Sequence, residues 1–429
     1  MRVFVESFGC STNLADGAVL AGCLARAGFT IVGSVDAADT VVYNTCAVKG
    51  PTENRMVEAA KRVPSNKKLI VAGCLPLINL ERLTREVRFD GLVGPAAGED
   101  IVRIVKRVAE GERVFALKGS LDAMPDLALP RVRSNPVVSS VPVSYGCLGS
   151  CAYCCVVFAR GRLRSHGAQE VVERVRKDLA SGLREFWITS QDAACYGRDK
   201  GTNLAELINA LCDVEGDFKI RVGMMTPNFV ADILEELVDA FRNEHVFKFV
   251  HLPVQSGDNG VLKAMNRFYS VDDFKRVVDI FRKSFPEITL ATDVICGFPG
   301  EDQGAFQRTL DVIDYVKPDI VNVSKFFARP RTAAARMENI QVPSSEVKRR
   351  SVVTSKLAKE VGCGRNQRWI GWKGEILVDE RGKVSGSWVG RNFAYKPIVI
   401  RNTHDQLGKS PNVEIVSAFP TYLQGKIIE

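Results

Sequence analysis

The stretch YGCLGSCAYCC, residues 145–155, decides how this chain is interpreted, because four of its eleven residues are cysteine. Three of them, Cys147, Cys151 and Cys154, have the spacing C-x3-C-x2-C and come directly after a predicted strand, VVSSVPVSY. In β/α barrels the carboxyl ends of the strands carry the active site. Three thiolates in so short a loop can hold one face of a cubane iron–sulfur cluster and leave one iron without a protein ligand. Such an open position is typical of catalytic metal sites.

Composition favours an ordinary soluble protein of the reducing cytoplasm. The 429 residues are 46% hydrophobic and 25% charged, and no apolar run approaches the roughly 20 residues of a membrane span. The first residues lack the basic flank and apolar core of a secretory signal, so we expect a cytoplasmic protein with no membrane association. Twelve cysteines in that compartment favour metal binding or redox chemistry over disulfides. The net charge of +8 is compatible with a polyanionic partner.

The first third of the chain has the pattern of a doubly wound α/β domain with a parallel sheet. Residues 1–115 alternate short Val- and Ile-rich runs with helical patterns at 14–28 and 52–63. Prolines in 116–136 predict an extended linker. The predicted strands are RVFVESFG, TIVGS, TVVYNT, KLIVAG and GLVGP.

Six further strand–helix units over 137–363 predict a partial (β/α)6 barrel with a trailing helix. Short strands with Gly, Asn and Asp turns over 364–429 predict a small antiparallel β-barrel. This last module carries ten Lys or Arg against six Asp or Glu, interleaved with tryptophan and other aromatic residues. That composition suits nucleic acid, although a solvated barrel with aromatic residues in its core has the same composition.

The members of a second group of cysteines are far apart along the chain, but each lies just after a predicted strand. Cys10, Cys46 and Cys74 each follow a predicted parallel strand of the first domain. Because the carboxyl ends of parallel strands share one edge of a sheet, we expect these three thiols to converge. The alternative is three unrelated buried thiols. The remaining cysteines have no partner spacing and are assigned to packing: Cys23, Cys155, Cys195, Cys212, Cys296 and Cys363.

Several motifs together resemble one enzyme family. YGCLGSCAYC resembles the signature of radical S-adenosylmethionine enzymes, and GCSTN, NTC and AGC resemble the N-terminal domain of methylthiotransferases. HLPVQSG, VLKAMNR and TDVICGFPGE resemble further motifs of that family, and the terminal module is similar to a TRAM domain, which binds RNA. FARGRLRS, TSQDAACYGRD and IRVGMM resemble the archaeal and eukaryotic branch, which modifies threonylcarbamoyladenosine beside the tRNA anticodon. The chain departs from the family pattern at RPRTAAA, where Arg331 replaces Gly and Ala333 replaces Pro, and at Cys155, which replaces an aliphatic residue.

The resemblance implies two 4Fe–4S clusters, S-adenosylmethionine, tRNA, an electron donor and a sulfur source, and we expect a monomer. Cys147, Cys151 and Cys154 would hold the cluster at which S-adenosylmethionine gives a 5′-deoxyadenosyl radical, which takes the hydrogen from C2 of the adenine. Cys10, Cys46 and Cys74 would hold the cluster that delivers sulfur, and a second S-adenosylmethionine would supply the methyl group.

The remaining strand ends would form the S-adenosylmethionine pocket. Amide and carboxylate side chains there can hydrogen-bond the ribose and methionine groups, while glycines allow close backbone approach. A turn or cap role is the alternative for each of these residues taken alone. The predicted pocket residues are Gln191, Asp192, Arg221, Gln255, Ser256, Gly297, Gly300 and Glu301.

Arg160, Arg162 and Arg164 alternate beside the cluster loop and would share one face if the chain were extended there. They would contact tRNA phosphates or the carboxylate of the threonylcarbamoyl group, and a solvated basic stretch is the alternative.

Two other functions remain open at this point. One keeps the chemistry and acts on another tRNA adenosine or on an aspartate of a ribosomal protein. The other is a non-catalytic RNA-binding protein whose cysteines hold structural zinc. Sets of three cysteines without a fourth ligand argue against it, because structural zinc is almost always four-coordinate.

Overall fold

The computed structural model describes residues 1–48, 50–117, 119 and 121–428. The first module is a six-stranded parallel sheet with the order β2-β1-β3-β4-β5-β6. Its elements in chain order are β1 (Arg2–Ser7), α1 (Ser11–Arg26), β2 (Thr30–Val32), β3 (Thr40–Thr45), α2 (Gly50–Lys61), β4 (Lys68–Gly73), α3 (Leu75–Ile78), α4 (Leu80–Glu86), β5 (Gly91–Val93), α5 (Asp100–Ala109) and β6 (Val114–Ala116).

The predicted doubly wound sheet is therefore confirmed, with each of the five predicted strands in place. Strands β3 and β4 are central, and their side chains are almost entirely buried, which explains their continuous apolar runs. The strand order brings the carboxyl ends of β1, β3 and β4 side by side. Residues Lys118 and Ser120 of the predicted linker 116–136 lie outside the described residues. The rest of that segment follows β6 and packs on α1, where the amide of Val132 donates to Ala18 O over 3.0 Å.

The second module is the predicted barrel of six parallel strands. Two three-stranded sheets, β7-β10-β11 and β12-β13-β14, are joined by bridges from Ile220 to Val246 and from Met224 to His251. Its elements are β7 (Val138–Pro142), β8 (Ser144–Tyr145), α6 (Val157–Arg160), β9 (Arg164–Ser165), α7 (Ala168–Ala180), β10 (Glu185–Thr189), α8 (Leu204–Cys212), β11 (Lys219–Val222), α9 (Pro227–Ala231), α10 (Leu234–Ala240), β12 (Phe249–His251), α11 (Asn259–Ala264), α12 (Val271–Ser284), β13 (Thr289–Cys296), α13 (Gln303–Val316), β14 (Ile320–Lys325) and α14 (Ser344–Gln367).

The trailing helix α14 ends at Gln367 rather than at the expected boundary near 363. The third module is a six-stranded sheet with the order β15-β19-β20-β18-β17-β16, antiparallel except where β18 pairs with β20. Its strands are β15 (Lys373–Glu375), β16 (Leu377–Arg381), β17 (Ser387–Arg391), β18 (Pro397–Arg401), β19 (Asn412–Ala418) and β20 (Leu423–Ile427). Trp369, Trp388 and Tyr395 are buried, whereas Phe393 and Phe419 are exposed, so the aromatic residues of this module are divided between core and surface.

The two outer modules contact opposite ends of the barrel. Helix α1 packs on β7 and β10, and the hydroxyls of Ser11 and Thr12 lie within hydrogen-bond distance of the Thr189 hydroxyl at the carboxyl end of β10. At the other end, the ring of Tyr395 lies 4.8 Å from Phe247 and 5.1 Å from Phe249, just before and at the start of β12. Within the described residues, no helix combines the length and apolar character needed to cross a membrane.

Candidate active site

The first cysteine trio lies in a loop that the short pair β8–β9 closes. Ser144 pairs with Ser165 and Tyr145 with Arg164, so residues 146–163 form one excursion at the end of the first barrel strand. Gly146 begins it with φ +77°, and a Cβ there would lie 2.0 Å from Arg162 O, so only glycine fits. The amide of Cys154 donates to Cys151 O over 3.0 Å, which folds the loop back on itself.

Each sulfur of this trio accepts a hydrogen bond. The amide of Gly149 donates to Cys147 Sγ over 3.2 Å, and that of Val156 to Cys154 Sγ over 3.5 Å. Arg267 Nη1 donates to Cys151 Sγ over 2.9 Å. Such donors favour thiolate over thiol and influence the potential of a bound iron–sulfur cluster. Arg267 lies in the motif VLKAMNR, but nothing in the spacing of that motif indicates that its side chain reaches the cysteine loop.

The second trio is brought together by the sheet, as predicted. Cys10 directly precedes α1, Cys46 follows β3 and Cys74 directly precedes α3. The amide of Cys74 donates to Thr45 O over 3.0 Å, and a Cβ built on Gly9 would lie 2.9 Å from Cys46 Cβ. Burial raises the pKa of Cys46 to about 12, and the neighbouring Cys10 thiol is the second largest cause of that rise.

Arg160 connects the two trios instead of facing solvent. Its guanidinium is buried and pairs with Asp16 Oδ2 of α1 over 2.6 Å, while the Tyr145 hydroxyl donates to Asp16 Oδ1 over 3.0 Å. Burial raises the pKa of the Cys74 thiol, and the charge and hydrogen bond of Arg160 oppose that rise. The expected common face of three arginines is wrong, because α6 ends at Arg160 and Gly161 turns the chain with φ +70°.

The other two arginines of that stretch have different surroundings. Arg162 is exposed. The Arg164 guanidinium donates to three backbone carbonyls, those of Ala123, Arg160 and Arg162, and thereby stabilises the turn after α6. Of the three, Arg162 alone has the exposure that a contact with tRNA phosphates requires.

Several of the residues expected to bind S-adenosylmethionine are already used by protein partners. Gln191 Oε1 accepts from the amide of Gly146 over 2.6 Å, immediately before Cys147. Asp192 Oδ1 accepts from the amides of Ala194 and Thr226. Glu301 is buried, pairs with Arg350 of α14 over 2.7 Å and accepts from the amide of Gly297. These side chains position the strand ends.

Arg221 lies on the opposite side of the barrel from the predicted pocket. Its guanidinium carbon is 5.3 Å from the ring of Trp187, 4.9 Å from that of Phe249 and 5.2 Å from that of Tyr395. Tyr395 belongs to the third module, so Arg221 helps to attach that module to the barrel floor. The expectation that it joins the strand-end pocket is therefore wrong.

The backbone at the remaining strand ends is left-handed at three positions. Gln255, Gly297 and Gly300 have φ of +66°, +76° and +82°. Ser256 is fully buried, and its hydroxyl lies 3.4 Å from that of Thr309. Gln255 accepts this conformation without being glycine, and such strain is concentrated at functional sites.

Cys195, assigned to packing from the sequence, lies beside the first trio. Its sulfur, Cys147 Sγ and a carboxylate oxygen of Asp192 lie within 4.8 Å of one another. Hydrogen bonding between the two thiols lowers the pKa of Cys147 and raises that of Cys195. The turn that follows β10 carries Cys195 to the mouth of the barrel, and the sequence spacing gave no signal of it.

The spacing of the thiols fits a cluster better than a single zinc ion. Thiolates bound to one zinc at about 2.3 Å lie no more than about 4.6 Å apart. Across the described residues, neither trio forms a set of ligand atoms within 4.8 Å of one another. Neither trio is therefore gathered around a single ion, and three thiols without a fourth protein ligand suit a 4Fe–4S cluster with one open iron.

Comparisons with known proteins agree with this arrangement. The Radical SAM superfamily matches residues 141–313, Uncharacterized protein family UPF0004 matches 2–94, and the TRAM domain matches 368–428. A probable threonylcarbamoyladenosine tRNA methylthiotransferase of Pyrococcus abyssi is 39% identical, with both chains covered completely. The human threonylcarbamoyladenosine tRNA methylthiotransferase is 34% identical over 99% of this chain and 74% of its own.

The chain belongs to the threonylcarbamoyladenosine tRNA methylthiotransferase family. Membership makes it a radical S-adenosylmethionine enzyme that uses 4Fe–4S clusters, in agreement with the two cysteine trios. Among solved structures, the radical S-adenosylmethionine methyltransferase TsrM of Kitasatospora setae, with cobalamin and a 4Fe–4S cluster bound, has a TM-score of 0.59. It is 13% identical over 78% of this chain and 76% of its own, a likeness of fold alone.

Proposed function

We propose that this methylthiotransferase adds a methylthio group to C2 of N6-threonylcarbamoyladenosine beside the anticodon of tRNA. The observation that carries the proposal is the convergence of two three-thiol sites at one end of the barrel, within a chain related over its whole length to enzymes of that name. A reaction that inserts sulfur and a methyl group needs one centre for radical formation and another for sulfur. The chain provides two such sets of ligands.

In this proposal Cys147, Cys151 and Cys154 hold the first cluster and Cys10, Cys46 and Cys74 hold the second. When bound, the clusters and S-adenosylmethionine supply the electron, the organic radical, the sulfur and the methyl group. The chain's own part is to orient and to shield. Arg267 and the amides of Gly149 and Val156 stabilise the thiolates of the first site, and Arg160 stabilises Cys74 in the second.

The strand ends at Gln255, Gly297 and Gly300 form the proposed S-adenosylmethionine pocket, because they follow β12 and β13 at the carboxyl end of the barrel, where the first trio also lies. Arg162 is the proposed contact for a phosphate or for the substrate carboxylate. The basic third module is the proposed RNA-binding surface. We further infer a cytoplasmic monomer that draws on a separate electron donor and sulfur source.

The test is mass spectrometry of tRNA nucleosides from a strain that lacks the protein. We expect the methylthio form of threonylcarbamoyladenosine to disappear and the unmodified form to accumulate. The wild-type gene should restore it, and a Cys46→Ala gene, expressed at the same level, should not. An unchanged nucleoside profile would refute the tRNA substrate, and loss of a methylthio group from a ribosomal protein would favour the alternative within this chemistry.

A further inference from the structure

Arg331 has a backbone conformation that arginine rarely adopts. It lies in the segment RPRTAAA after β14 with φ +66°, in the left-handed region that favours glycine. The family pattern RPGTPAA has glycine at this position, the residue that accepts the conformation most easily. A strained residue persists when its surroundings hold it, which makes the contacts of its side chain informative.

Those contacts join two short helices that carry the two cysteine trios. Arg331 Nη2 donates to Leu77 O in α3 over 2.6 Å, and its guanidinium carbon lies 4.8 Å from the ring of Phe158 in α6. Helix α3 begins directly after Cys74, and α6 begins shortly after Cys154. A guanidinium suits this position because it donates in its plane and stacks with its face.

The rest of the segment is anchored at the same junction. Arg329 forms a buried pair with Glu53 of α2 over 2.5 Å, and the amide of Ala334 donates to Ala152 O over 2.8 Å. Ala152 lies between Cys151 and Cys154. The segment 329–334 therefore contacts the first module on one side and the cysteine loop of the barrel on the other.

We propose that Arg331 is a positioning residue that clamps α3 to α6 and fixes the second cluster site relative to the first. The consequence of this clamp for the reaction rests on the proposed function. When the two sites are held at a fixed distance from each other, each radical formed leads to sulfur transfer. Without the clamp both sites still form, but α3 moves relative to the barrel. S-adenosylmethionine is then cleaved without formation of the methylthiolated nucleoside.

The decisive variants are Arg331→Gly and Arg331→Lys in the full chain loaded with iron and sulfide. Glycine relieves the backbone strain and removes both contacts, so loss of folding does not confuse the result. Lysine keeps the charge but cannot donate and stack in the same way. Arg336→Ala, at an exposed arginine five residues further along the chain, is the matched control.

We expect Arg331→Gly to keep the wild-type iron content and to exchange the backbone amides of α3 several-fold faster than wild type, with Arg331→Lys between them and Arg336→Ala unchanged. We also expect more 5′-deoxyadenosine per methylthiolated nucleoside. Unchanged exchange in α3 would overturn the clamp. Faster exchange supports the clamp even if wild-type protein modifies no tRNA, and that second result would count against the proposed function alone.

Discussion

The two cysteine trios are assembled by opposite routes. Cys147, Cys151 and Cys154 lie within one loop that β8 and β9 close, so their geometry is local. Cys10, Cys46 and Cys74 are held by the adjacent ends of β1, β3 and β4, so their geometry exists only when the sheet does. The geometry of a local site is therefore insensitive to distant changes in the fold. The geometry of a dispersed site changes whenever the strands that carry its residues shift.

The largest effect should come from removing one ligand of each trio. We expect Cys151→Ala and Cys46→Ala each to lose about half of the bound iron, because each site loses one of three ligands. Cys151→Ala should abolish cleavage of S-adenosylmethionine, and Cys46→Ala should retain cleavage but stop sulfur transfer. Iron analysis and chromatography of 5′-deoxyadenosine measure both. Cys363→Ala is the control. If the two variants lose only RNA binding, the division of labour is wrong.

A smaller and more selective effect should follow from the glycine before each site. Gly73 precedes Cys74 with φ +93°, and a Cβ there would lie 2.4 Å from Thr45 O. We expect Gly73→Ala to lower iron at the second site and Gly146→Ala at the first, each with a stability loss on the order of 1–3 kcal/mol.

Gly111→Ala is the matched control for those glycines, since its φ of +94° is equally strained but no atom lies within 4 Å of the added Cβ. It should lower the melting temperature without a loss of iron. If it loses iron as well, general destabilisation explains the result, and the contrast between a local and a dispersed site fails.

The smallest effect concerns the charge that Arg160 brings to the second site. Burial raises the pKa of Cys74 and Arg160 opposes it, so removing the cation raises that pKa further. Because iron binds the thiolate, the double variant Arg160→Met/Asp16→Asn, which leaves no buried charge unpaired, should load its second site poorly at neutral pH. Loading should recover as the pH is raised, because a higher pH restores the Cys74 thiolate. Iron loading of the first site should not change in this variant. Iron content measured as a function of pH tests the expectation for each site. An equal loss at every pH would assign Arg160 a packing role only.

Much of this architecture is readable from the sequence, because strands with continuous apolar runs and their following loops are local patterns. Cys10, Cys46 and Cys74 could be grouped since parallel strand ends share an edge. Contacts between the modules could not be predicted from the sequence. The position of Arg160 depends on the turn at Gly161, and that of Arg221 depends on its contact with the ring of Tyr395. Arg267 and Cys195 reach the first trio from loops whose paths depend on tertiary packing.

The position of Tyr395 has a consequence for the size of the nucleic acid. The third module closes the amino end of the barrel strands, and both cysteine trios lie at the carboxyl end, so the two ends are separated by at least the length of a strand of five or six residues, about 17–20 Å. An RNA that binds both the third module and the strand-end site, as proposed, would have to extend over at least that distance.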